Sequence, residues 1–143
     1  PQAFFLGEGS FKITPLQMVL AASTLTNQGI LPAARIVNAY LEPGGSWVTL
    51  PKLGSNTQAI PTDEAIRVAS LLQPSDAPIW TISALTETDQ DQDITWFITG
   101  TTSQWQGQPI AVVVVLESDA PYTAENIGIS LITQAIRTTS ANP

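Results

Sequence analysis

The sequence predicts an α+β fold: a three-stranded antiparallel meander packed between a C-terminal helix on one face and N-terminal helices on the other. Three observations carry this. Residues 79–87, 94–102 and 109–117 read as strands, and the polar links between them, 88–93 and 103–108, are short enough to demand antiparallel neighbours. The third run is apolar from Ile110 to Leu116 without interruption, so both of its faces need cover. A length of 143 residues with 43% apolar content suits one domain, or half-domain, built on one core (1–143) and argues against disorder.

Each element has its own signal. Thr14 can cap a helix, Pro15 suits the first helical position, and Gln17 stands where a capping-box partner belongs. Asn27-Gln28-Gly29 supplies the stop. Leu16, Met18, Val19, Leu20, Ala21, Ala22 and Leu25 leave that helix without a clear polar face, which predicts a buried helix. Arg35 to Leu41 and Trp47 to Leu50 flank the turn Pro43-Gly44-Gly45-Ser46, giving an extra hairpin at about 35–50. Lys52 to Ile60 reads as loop. A second helix is expected from Asp63 to Gln73, capped by Thr62, favoured by Asp63 and Glu64 in its first turn and stopped by Pro74. The last helix is expected to start at a Thr123 cap and run to about Arg137, with Ile127, Gly128 and Leu131 towards the sheet and Gly128 permitting close approach.

Composition excludes several function classes. Cysteine and histidine are absent, which removes disulfides, thiolate nucleophiles, the usual zinc sites and His-based triads; no cofactor is expected. The net charge is −7, and the five basic residues Lys12, Arg35, Lys52, Arg67 and Arg137 are scattered, so phosphate-tracking nucleic-acid binding is not expected. The apolar run 110–116 is too short to span a bilayer. Pro1 in place of an initiator Met suggests a processed or excised piece, leaving room for an anchor upstream.

Three segments resemble a known family. The first is Leu6-Gly7-Glu8-Gly9, Thr14-Pro15-Leu16-Gln17 and Asn27-Gln28-Gly29, followed by Pro32. The second is Trp96-Phe97-Ile98-Thr99-Gly100, and the third is Pro109-Ile110-Ala111-Val112-Val113-Val114-Val115-Leu116-Glu117. Their order and spacing resemble the C-terminal half of the penicillin-binding transpeptidase and serine β-lactamase fold, over about Leu6 to Thr138. The resemblance implies that two further strands complete the sheet beside the last one.

Family members acylate a serine using Ser-x-x-Lys, Ser-x-Asn and Lys-Thr-Gly, with a lysine amine taking the serine proton and cationic and hydroxyl groups holding the substrate carboxylate. This sequence has no Ser-x-x-Lys; Ser10 and Lys12 are two apart and would point away from each other on a helix. Ser140-Ala141-Asn142 has the Ser-x-Asn form but lies downstream of every strand, against the family order. The resemblance places Lys-Thr-Gly on the strand before Trp96, at Ser83-Ala84-Leu85 or Ala84-Leu85-Thr86, where there is no lysine; no basic residue occurs between Arg67 and Arg137.

The resulting expectation is a transpeptidase-like domain without catalytic machinery, structural or partner-binding in peptidoglycan synthesis outside the cytoplasm. The alternative is the C-terminal half of an active D,D-transpeptidase whose nucleophile lies upstream, with Ser83 or Thr86 replacing part of the triplet. A third is a binding module using Trp105 and the acidic hairpin. An open edge on 110–116 is expected to pair with an upstream segment, another chain or a second copy. Trp105 in its Gln-rich loop is the candidate partner contact and the one tryptophan of four expected at the surface, with Trp96 in the core. Asp89, Asp91 and Asp93 alternate like a calcium loop, but the sixth and twelfth places hold Ile94 and Gly100, so an acidic hairpin tip is expected. Glu117, Asp119 and Glu125 form a further acidic group, with Glu125 explained by a helix N-terminus.

Overall fold

The computed structural model describes residues 12–51, 53–74, 77–88 and 91–140. Helix α1, Pro15–Thr26, opens on the expected capping box: Thr14 Oγ1 accepts from the Gln17 N–H at 3.2 Å, and Gln17 Oε1 accepts from the Thr14 N–H at 2.9 Å. It closes as Gly29, at φ +90°, donates its N–H to Thr24 O at 2.8 Å. Burial in α1 is concentrated in its second half, where Ala22, Thr24 and Thr26 are buried, while Leu16 in the first turn is half exposed. At 3.6 residues per turn Thr24 stands roughly opposite Ala22 and Thr26, so no single face takes the burial. The hydroxyls of Ser23 and Thr24 are satisfied within the helix, at Val19 O and Leu20 O.

The stretch 52–60, expected as loop, contains a strand. β1, Ile30–Leu31, pairs antiparallel with β4, Thr57–Gln58. No local pattern announces so short a pair. Long-range bonds make it: Ala59 and Ile60 donate to Gly29 O, and the Gln58 amide donates to Gln28 O and Ile60 O. Between them lies the expected hairpin, β2 (Ala39–Leu41) and β3 (Trp47–Thr49), with Tyr40 opposite Val48 and the turn closed by Glu42 N–H to Ser46 O. Gly45 takes φ +81°, which its missing Cβ allows.

Helix α2, Thr62–Leu71, has Pro61 at its cap position, and Thr62 is its first helical residue rather than its cap. The fixed φ of proline enters the helix without a side-chain acceptor, while Asp63 and Glu64 sit in the first turn as expected.

The sheet has the order β5–β6–β7, all antiparallel: β5 Ile79–Glu87, β6 Asp93–Thr101 and β7 Ala111–Leu116. Alternation sorts its side chains into two faces. Trp80, Ile98 and Val113 meet Ala22, Met18 and Leu25 of α1 and Ala69 and Leu72 of the α2 end. Phe97, Val112, Val114 and Leu116 meet Ala124 and Ile129 of helix α3, Pro121–Ser140. The apolar third strand is thus covered on both faces, as its composition predicts.

α3 begins at Pro121, ahead of the expected Thr123 cap. Its start is instead tied down from β6: Thr95 Oγ1 donates to Ser118 O at 2.6 Å and accepts from the Ala120 N–H at 3.0 Å. Its inward face is Ala124, Gly128 and Ile132, all buried, whereas Ile127 and Leu131 are 40% and 49% exposed. Gly128 does make the close approach, against the Phe97 ring. That contact selects the face, so Ala124, Gly128 and Ile132 point inward while Ile127 and Leu131 are left partly exposed. Among the described residues, no helix is long and apolar enough to cross a membrane.

Candidate functional site

The candidate site is the outer half of β5. The root of this strand is held firmly. Trp80 is 1% exposed, its Nε1–H donates to Thr26 Oγ1 of α1 at 3.0 Å, and its carbonyl accepts from Thr99 Oγ1 at 2.7 Å. Gly100 lies opposite Trp80, and a side chain there would collide with both Thr26 and the indole. From Ile82 onward the strand is exposed, and among the described residues it pairs with β6 alone. A buried anchor thus presents an open strand edge.

The four positions singled out from sequence all lie on this exposed stretch. Ser83 and Leu85 stand on the α3 side of the sheet, opposite Phe97 and Thr95. Ala84 and Thr86 stand on the α1 side, opposite Trp96 and Ile94. The Thr86 hydroxyl is already engaged, accepting from Trp96 Nε1–H at 3.2 Å and donating to Ile94 O at 3.3 Å. Ser83 carries an exposed hydroxyl with no basic residue anywhere on the sheet or its connections.

At the far end of β5, Glu87 faces Asp93 directly across the ladder, and like charges so placed repel. The link between them turns at Thr88, whose Oγ1 accepts from the Gln92 N–H and whose carbonyl accepts from the Asp91 N–H; Asp91 takes φ +55°. Asp89 lies outside the described residues. Among those described, no group of three or more His, Cys, Asp or Glu is placed to hold a metal ion. Glu117, Asp119 and Glu125 are exposed at the β7–α3 junction. An anionic end-group approaching this end of the sheet meets acids and no cation.

Two of the basic residues are committed elsewhere. Arg67 pairs with Glu64 along α2, and Arg35 donates to Leu50 O and Pro51 O. Ser10, Ala141 and Asn142 lie outside the described residues.

The tryptophans divide differently from expectation. Trp96 is 8% exposed, in the core as read from its neighbours. Trp105 is half-buried: Nε1–H donates to Gln108 O at 3.0 Å, and its ring occupies the space a side chain at Gly107 would need. Trp47 is the exposed one, at 71%. The signal for it was its place in a short strand beside a Pro-Gly-Gly turn, with no helix to cover the ribbon.

No protein-family model matches the sequence, and no curated protein does either. Solved structures do match. Penicillin-binding protein A from Mycobacterium tuberculosis, in its imipenem acyl-enzyme complex, superposes with a TM-score of 0.75 at 22% identity, over 91% of this chain and 32% of its own. The chain adopts part of the penicillin-binding-protein fold. Penicillin-binding protein 3 from Mycobacterium tuberculosis, in its apo form, gives 0.60 at 18% identity over 86% of this chain and 35% of its own. A peptidoglycan synthetase from Bifidobacterium adolescentis gives 0.56 at 19% identity over 86% and 27%. The chain therefore spans about a third of the length of these penicillin-binding proteins. The partial transpeptidase-like, mixed helix-and-sheet fold agrees with the expectation drawn from the three sequence segments. At these identities the likeness is one of fold, and residue roles rest on this chain's own chemistry.

Proposed function

We propose that this chain is a transpeptidase-like domain without catalytic machinery of its own, serving a structural or partner-binding role in peptidoglycan synthesis outside the cytoplasm. One observation carries the reading. The strand edge β5 presents Ser83, Ala84, Leu85 and Thr86 where the family resemblance implies a cation-bearing triplet, and it ends on the Glu87–Asp93 pair. Recognition of a peptide or β-lactam carboxylate needs a positive charge or several donors at close range. Here neutral side chains and carboxylates stand in that place, which supports loss of the substrate grip.

The open edge of β7 supports a partner role. Among the described residues β7 pairs with β6 alone, and an apolar edge strand invites further pairing. An upstream segment of the same polypeptide is the first candidate for that edge, and a second copy or another cell-wall synthesis protein is the next. Trp105, half-buried in its loop, is retained as a contact point for such a partner.

The decisive experiment is labelling of the full-length protein with a fluorescent penicillin, read on a denaturing gel. No covalent adduct is expected. A saturable adduct, competed by unlabelled penicillin, overturns the non-catalytic reading and establishes the alternative, the C-terminal half of an active D,D-transpeptidase with its nucleophile upstream.

A further inference from the structure

We draw no further inference here: the strongest candidate, the apolar surface formed by the β2–β3 hairpin and the adjoining hollow lined by Ile36, Val37 and Leu53, carries nothing, because nothing in the structure shows what covers it.

Discussion

Gly128→Ala should destabilise the protein although it removes a glycine from the middle of a helix. A Cβ at this position would lie 2.2 Å from Phe97 Cδ1 and 2.4 Å from Cε1, well inside the roughly 3.5–4.0 Å optimum for carbon pairs. Phe97 is 1% exposed and sits on the central strand between Ser83 and Val114, so its ring has nowhere to swing. Either α3 lifts from the sheet or the ring leaves its rotamer. Overpacking of this kind costs about 1–3 kcal/mol, and an overlap exceeding an ångström at two ring atoms belongs in the upper part of that range. Against it stands a gain of about 1 kcal/mol in helix propensity. The expected net loss is about 1–2 kcal/mol, or a fall in Tm of about 2–8 °C for a chain of this size. Circular dichroism melts and urea midpoints measure it. A double variant with Phe97→Leu gives the control: removing the ring should recover about 1 kcal/mol of the Gly128→Ala loss in a mutant cycle. A Tm equal to or above that of the parent for Gly128→Ala would refute the claim that helix and sheet are in contact at this point.

Further outcomes follow from other contacts. Thr26→Val keeps the shape but leaves the buried Trp80 indole N–H without its acceptor, which should cost about 1–3 kcal/mol in urea denaturation. Thr14→Ala removes the capping box of α1 and should cost about 1 kcal/mol, with Gln17→Ala costing less because Thr14 still caps. Glu87→Gln should stabilise by about 0.2–1 kcal/mol at low salt by relieving the facing Asp93, with the gain shrinking as salt rises. Glu64→Gln breaks an exposed pair with Arg67 and should change stability by less than about 1 kcal/mol.

The sequence carried the sheet well because its signals are periodic and local. β5 was legible at both ends, from the turn-rich stretch before Ile79 to the acidic link after Glu87. The α1 capping box was legible because its two partners are three residues apart. What escaped was set by distance. The β1–β4 pair exists through bonds between Gly29 and residues 59–60, and no window of neighbouring residues contains both. Hydrophobicity alone assigned Ile127 and Leu131 to the inner face of α3; the actual inner face is chosen by the space Gly128 leaves for Phe97. At the candidate site, the edge position of β5 followed from the meander that the short links demand, whereas the exposure of its residues from Ile82 onward was not readable, because cover on a sheet face comes from elements distant in sequence. The missing cation was readable, because it is a matter of composition.

β6 is the strand with ladder partners on both sides, and its residues 95–101 are buried from end to end. Fraying of either outer strand leaves it still bonded to the other, so its amide protons should be the slowest in the sheet to exchange with deuterated solvent. Strand loss would then be stepwise: β5 could peel from its exposed tip down to the Trp80 anchor while the β6–β7 pair and α3 stay closed. A protein built this way could lend out one strand edge without surrendering its core.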